Sequence, residues 1–291
     1  MKAIILFPSD YFSLSAPNDN FRSEFDAVIA TEGLEATLFN FDDYIEGHPL
    51  ALTKHAEHLP ELVIYRGWMM KPEQYRRFHD DLTSMGFEPL VSPLCYERMH
   101  CFPNAGEMFD GQTPRFMAFP EKDGQVSIEA DVINETFKRF MIKDYVKSVK
   151  NTDFPTFIKT PVTQEELDGY IQDFIQRRGS LFTGGIVLKE YVDLKKYEGA
   201  TNECRQFVFL QETLGLSRNS SQPQTAPEPP ASYLSMLNTA VAPFYTVDYA
   251  ELADGTWTII EAGDGQVSGL AESDDPIRFY KAITDRLSCC Q

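Results

Sequence analysis

A chain of 291 residues with 43% hydrophobic and 13% aromatic side chains can bury a large core, in one large domain or two ordinary ones, which excludes global disorder. Its formal charge of −18 argues against a protein that grips nucleic-acid backbones, because that task needs clustered Lys and Arg to displace counterions. The five cysteines, Cys95, Cys101, Cys204, Cys289 and Cys290, are odd in number and too few for a disulfide scaffold, so a reducing, cytoplasmic setting fits them.

The opening MKAIILFPSD is too short in its apolar run for a signal h-region or a membrane span and reads as a first strand. Phe21, Phe25, Val28 and Ile29 then recur at helical spacing, and strands are expected over 36–39 and 62–65. Pro72 suits the first turn of a helix that runs to about Met85, with Gly86 as its stop before a strand over 87–91. Residues 1–92 therefore read as an α/β unit with a parallel sheet. Its first strand is followed by FPSDYFSLSAP, which carries neither a dinucleotide fingerprint nor a Walker lysine. Arg66 follows a buried strand directly, where open α/β sheets form ligand crevices; it either binds an anionic group there or lies on the surface against Trp68. Pro93, Pro103 and Pro114 mark an irregular crossover into the second half. Cys95, His100 and Cys101 lack a second ligand pair at metal-binding spacing and read as ordinary side chains.

The second half, 93–291, reads as strands over 139–143, 157–159, 185–192, 204–210, 244–251 and 257–262. Helices are expected over 163–178, opened by a Thr163/Glu166 capping box, over 231–240 and over 274–287. The Ser-, Pro- and Gln-rich stretch at about 215–230 reads as a mobile surface loop. Several charges fall inside apolar strands, where a buried charge needs a partner. Lys143, in FMIKDYVKS, either points into a cleft, with Lys147 and Ser148 close behind, or snorkels from a strand end. Gly184 and Gly185 permit close backbone approach, where a flat base could dock, before a strand that ends in Lys189, Glu190, Tyr191 and Val192. Arg205 either serves a polyphosphate through its fork of donors or pairs with Glu203. Near the C-terminus, TVDYAELADGTWTIIEAGDGQ reads as a hairpin turning at Asp254-Gly255, with Asp248, Glu261 and Asp264 on its strands. Those acids either hold a metal or decorate a solvent face. The histidines His48, His55, His58, His79 and His100 form no nucleophilic triad with Ser or Cys and read as solvated or structural.

Taken in order, YRGW, FMIKDYVKS, GGIVLKEYV, ECRQFV and IIEAGDGQVSGL resemble a bacterial and phage clade of the ATP-grasp superfamily. The resemblance covers roughly residues 100–290, with 1–92 corresponding to the Rossmann-like α/β domain that precedes the ATP-grasp fold. It implies an α/β (α+β) protein in which two α+β subdomains clamp ATP. It implies further that Lys143, helped by Lys147, and Arg205 meet the phosphates, that Lys189 to Val192 form the adenine hinge, and that Glu190 reaches the ribose or adenine edge. Asp248 and Glu261 would be Mg²⁺ ligands. The superfamily places asparagine two residues after the glutamate, whereas here Ala262-Gly263-Asp264 follows, so Asp264 stands one residue late as the third ligand. Arg115 takes the place of an early lysine and, with Arg66, would face the substrate. The implied activity is ATP-dependent ligation of a carboxylate to an amine through an acyl-phosphate, on small-molecule or peptide substrates, without nucleic acid or membrane. A phosphotransferase and a nucleotide-binding module without turnover are the alternatives, and the oligomeric state is left open.

Overall fold

The apolar run near the N-terminus becomes strand β1 (Ala3–Pro8), every residue of which is buried, as a strand covered on both faces requires. The computed structural model describes residues 3–54, 61–109, 111–149, 152–218, 222, 223, 225–235 and 242–289. Helix α1 (Arg22–Ala30), strand β2 (Leu34–Phe39), the short helix α2 (Phe41–Ile45), strand β3 (Glu61–Tyr65), helix α3 (Pro72–Ser84) and strand β4 (Phe87–Pro89) follow, and the strands form a parallel sheet in the order β2-β1-β3-β4. Pro72 opens α3, Tyr75, Phe78 and Leu82 turn its one apolar face inward, and Gly86 at φ +90 lets the chain leave it. In α1, by contrast, Ile29 is exposed, so the inward stripe is narrower than its apolar spacing suggests.

The proline-marked segment is more regular than expected. It holds helix α4 (Pro93–His100), helix α5 (Phe102–Met108) and strand β5 (Phe116–Pro120). A proline in the first helical turn sacrifices no hydrogen bond, so Pro93 and Pro103 are helix starts, not breaks. Ser92 caps α4 by accepting from the Cys95 amide. Helix α6 (Ala130–Thr136), strands β6 (Arg139–Asp144) and β7 (Ile158–Lys159), helix α7 (Gln164–Arg178) and strand β8 (Gly185–Glu190) complete an antiparallel sheet in the order β5-β8-β6-β7. The capping box at Thr163 and Glu166 forms as expected. A small hairpin, β9 (Lys196–Tyr197) and β10 (Ala200–Thr201), leads into β11 (Glu203–Phe209), β12 (Glu212–Arg218), helix α8 (Ala231–Ser235), β13 (Phe244–Glu251) and β14 (Trp257–Asp264), a second antiparallel sheet in the order β12-β11-β13-β14. Helix α9 (Pro276–Cys289) closes the described chain.

The stretch expected as a loop at 215–230 begins inside β12, paired with β11 as far as Arg218. Residues 219–221 and 224 lie outside the described residues; beyond them Gln222 and Ala226 are buried, and Arg218 Nη1 donates to the Ala226 carbonyl at 2.7 Å. The helix expected over 231–240 is described to Ser235, and His55, His58 and Cys290 also fall outside. No described helix is long and apolar enough to cross a membrane, and the described cysteines are free thiols.

The core of the parallel sheet does not stop at residue 92. Phe207, Phe209 and Phe244 from the second antiparallel sheet, and Phe279, Tyr280, Ile283 and Leu287 from α9, pack into it. Arg66 lies in this seam, neither in a ligand crevice nor on the surface. It is 1% exposed, and its Nε and Nη2 donate to Glu24 at 2.9 and 2.8 Å. Its Nη1 donates to the carbonyls of Gly265 and Ser268, and Tyr280 donates to the same Glu24 at 2.6 Å. The rings of Phe207, Phe244 and Phe279 surround the guanidinium. A buried ion pair of this kind is costly to break, because removing one member strands the other without water. Arg66→Leu is expected to lower unfolding free energy by about 3–5 kcal/mol in urea titration. The double variant with Glu24→Leu should lose less than the sum of the single losses; additive losses would contradict the pairing.

Candidate active site

Side chains on neighbouring strands stand side by side when their residues are in register, and the second antiparallel sheet uses this to line up charge. Arg205 is the β11 partner of Asp248 on β13, and Asp248 is the partner of Glu261 on β14, so the three form a row across the sheet. Arg205 grips Asp248 bidentately, with both bonds at 2.7 Å; Glu203, the partner considered from sequence, accepts from the Thr201 hydroxyl instead. The facing sheet supplies lysines. Lys189 on β8 pairs with Met141 on β6, two residues before Lys143, so both ammonium groups leave the same face. Lys143 is 5% exposed and its Nζ lies 3.1 Å from Glu261 Oε1, while Lys189 Nζ donates to the Ile260 carbonyl. Lys143 thus points into the cleft.

Between the sheets lies a cavity of about 680 Å³, and Lys143, Lys147, Lys189, Glu190, Tyr191, Val192, Arg205, Asp248 and Glu261 all line it. Two further residues, unread in the sequence, shape its wall. Asp144 is fully buried and accepts from the amides of Val146 and Lys147 at 2.7 and 2.6 Å, and from Arg178 Nε at 2.8 Å. Its carboxylate therefore fixes the tight turn that presents Lys143 and Lys147. An acid directly after a strand lysine was the only trace of this in the sequence.

Other expected site residues lie elsewhere or at the margin. Asp264 alternates to the opposite side of β14 from Glu261 and is fully buried, with Oδ1 taken by the amide and side chain of Gln266. Burial pushes its carboxyl up to about 7. Among the described residues no three His, Cys, Asp or Glu side chains form a group that could hold a metal. Arg115 is mostly exposed, 3.7 Å from Glu190 at the cavity edge. The space at Gly184 is filled by the protein itself: a Cβ there would meet the Tyr145 ring at 2.4 Å, and one at Gly185 would meet the Phe119 carbonyl at 2.2 Å, which leaves no room for a base.

A family model described as "ATP-grasp domain, R2K clade family 3" matches residues 132–283, just over half of the chain. The chain belongs to this ATP-grasp family. No curated protein sequence matches it. By fold, it is similar across 99% of its length to 97% of D-alanyl-alanine synthetase A from Vibrio cholerae, at 8% identity and a TM-score of 0.62. It is similar to a RimK-domain ATP-grasp protein from Sphaerobacter thermophilus at 13% identity and 0.59, covering 97% of this chain and 98% of that one. The macrocyclase MdnC of Microcystis aeruginosa, solved with its precursor peptide MdnA, is similar at 14% identity and 0.59, over 99% and 100% of the two chains.

In this cavity the charges act strongly on one another. Burial alone would raise Glu261, but Lys143, Lys147 and Lys189 outweigh it and hold the carboxyl at about 2. Burial and the neighbouring Lys143 push Lys189 down to about 7, against the raising pull of Glu261. The two groups act on stability in opposite directions. Glu261 contributes stability that is present above its ordinary 4.5 and lost as pH falls from there toward 2. Lys189 costs stability below 7, a cost relieved as pH rises from about 7 toward its ordinary 10.5. Nitrogen-15 NMR of the lysine side chains should show one ammonium titrating near 7, absent in Lys189→Met. Glu261→Gln should move that midpoint lower; a midpoint above 9 in the parent protein would contradict the burial argument.

Proposed function

We propose that the cavity binds ATP with Mg²⁺ and that the protein joins a carboxylate to an amine through an acyl-phosphate, on small-molecule or peptide substrates. The observation that carries this reading is the pairing of opposite charges within one cavity, Lys143 with Glu261 and Arg205 with Asp248. The donor set fits Mg²⁺, which takes one or two carboxylates and completes its shell with water and phosphate oxygens. Asp248 and Glu261 are adjacent hard donors, and Glu261 stays ionised throughout the physiological range. Asp264, buried behind the sheet, is left out of this set. When bound, the metal would neutralise charge on the phosphates.

The chain's own groups have distinct tasks in this reading. Lys143 and Lys189 meet phosphate oxygens from the β6 and β8 side, with Lys147 at the turn beyond. The end of β8 and the two residues after it, Glu190 to Val192, carry the base: the amides of Glu190 and Tyr191 are already held by the Arg115 and Arg139 carbonyls at 2.8 and 3.0 Å, which makes this edge rigid. Arg205 supplies a planar donor fork for the phosphoryl group in transfer. The substrate carboxylate attacks the γ-phosphorus and ADP leaves; the amine then attacks the acyl carbon, phosphate departs, and the amine's proton is lost as the amide forms. No protein nucleophile is needed. The cations stabilise charge as it develops, and the two facing sheets limit water's access to the acyl-phosphate. The macrocyclase and D-alanyl-alanine synthetase folds support ligation over phosphotransfer.

The deciding experiment supplies ATP, Mg²⁺ and pools of amino acids and peptides, and follows ADP, phosphate and mass. Phosphate release that needs both a carboxylate and an amine, with hydroxylamine trapping the activated acid, supports ligation; a stable phosphorylated product would sink it. Glu261→Gln should remove Mg²⁺-dependent ATP turnover with the fold retained, and parental turnover in that variant would refute the metal role. Arg205→Met is expected to lower kcat about 10²–10³-fold with adenosine binding unaltered, the range seen when one donor to a transition-state oxyanion is removed.

A further inference from the structure

Two like charges, Lys143 and Lys189, are both nearly inaccessible to water, at 5% and 4% exposed, on one face of the β6–β8 pair. Among the described residues one carboxylate, Glu261, and one carbonyl, that of Ile260, are their hydrogen-bond acceptors. A third group touches both. The ring centroid of Phe102 lies 4.3 Å from Lys143 Nζ and 4.4 Å from Lys189 Nζ. That is well inside the range at which an aromatic face attracts an ammonium, and desolvation strengthens the attraction.

Phe102 stands behind the lysines, outside the lining of the cavity. It opens α5, in the segment that joins the parallel sheet to the antiparallel ones. Its position is fixed from several sides. Its amide donates to the Tyr145 carbonyl at 2.6 Å, in the same turn that presents Lys143 and Lys147. Its ring meets Phe116 of β5 edge-on at 5.1 Å, and a Cβ at Gly106 one helical turn later would strike that Phe116 ring at 2.8 Å. The ring is therefore held between α5, β5 and the lysine turn, and it has little freedom to retreat from the two ammonium groups.

We propose that Phe102 is a positioning residue for phosphate recognition, its ring face holding the Lys143 and Lys189 ammonium groups side by side and aimed into the cavity before nucleotide arrives. The inference rests on the reading of the cavity as a nucleotide site. Without the ring, the two like charges have, among the described residues, Glu261 and the Ile260 carbonyl to hold them near each other, and they spread apart. Nucleotide binding must then gather them again, a cost that falls on the phosphates and not on the base.

Phe102→Leu and Phe102→Met remove the ring and keep much of the volume, whereas Phe102→Tyr keeps the ring; thermal unfolding of each identifies variants that fold. Calorimetric titration of the full chain with Mg²⁺ and the ATP analogue AMPPNP, and separately with adenosine, reads the effect. The ringless variants are expected to bind AMPPNP about tenfold more weakly and adenosine within about twofold of the parent, and the tyrosine variant should stay within about threefold for both. Equal losses for AMPPNP and adenosine would mark a merely structural role and overturn the proposal, as would a tyrosine variant that behaves like leucine. If the parent protein bound no AMPPNP, the nucleotide reading itself would fall and this inference with it; parental binding with an unaffected Leu variant would overturn the inference alone.

Discussion

The two antiparallel sheets meet through charge. Lys143 and Lys189 on β6 and β8 reach across to Glu261 and the Ile260 carbonyl on β14, so that the same atoms which join the sheets also line the cavity between them. Everything else in the site is arranged around this contact. Asp144 ties down the turn behind the lysines, Arg205 holds Asp248 in the row beside Glu261, and the end of β8 runs along the rim. Cations and carboxylates satisfy one another here without ligand, which lets the site stand assembled in spite of the desolvation cost of so many charges. A metal–triphosphate complex carries the same two signs. In the proposed reading it would replace each internal partner with an external one, carboxylate to metal and cation to phosphate, without leaving a buried charge unpaired.

The same local signal in the sequence, a charge at the end of an apolar strand, had opposite outcomes at Lys143 and Arg66. Both charges are buried. The difference lies in which element covers the strand end. At β6 the opposite sheet leaves a cavity, whereas at β3 the covering elements are α1 and α9, which bring Glu24 and Tyr280 onto the guanidinium. Those partners lie 42 residues from Arg66 and, for Tyr280, 256 residues from Glu24 along the chain, so no local window contains them. The covering helix comes from the far end of the molecule, and the core of the N-terminal sheet is built partly from it.

Element type was legible wherever periodicity was strong. The first strand, the Pro72 helix, the capped helix after Thr163 and the hairpin strands β13 and β14 all form close to where their patterns place them. Short elements were not: α4, α5, α6 and β12 carry too few turns or alternations to show a period, and their prolines, glycine and polar residues resembled loop composition. In the site, Lys143, Lys189, Glu190, Arg205, Asp248 and Glu261 are brought together because they sit on strands whose register is set by apolar neighbours, while Lys147, Tyr191 and Val192 lie just beyond strand ends. Asp264 fails for the same reason in reverse. It stands three positions after Glu261, and the alternation of a strand sends a residue an odd number of positions away to the other side.

Under the proposed reading, the overall acidity of the chain sharpens the demand on the cavity. A protein with a formal charge of −18 repels a polyphosphate at long range. At physiological ionic strength that repulsion decays over about 8 Å, so it weakens the approach more than the bound state. Inside, Lys143, Lys147, Arg178, Lys189 and Arg205 face Glu190, Glu203, Asp248 and Glu261 along the lining, a positive excess in an otherwise negative molecule. Two of those acids, Asp248 and Glu261, are the ones a divalent ion would neutralise, and the remaining cations would then act on phosphate undiminished. Metal and phosphate are thus expected to favour each other's entry, since each removes the internal partner that competes with the other. In that reading the strength of the coupling would be set by the two ion pairs, Lys143 with Glu261 and Arg205 with Asp248, and not by the charge of the surface.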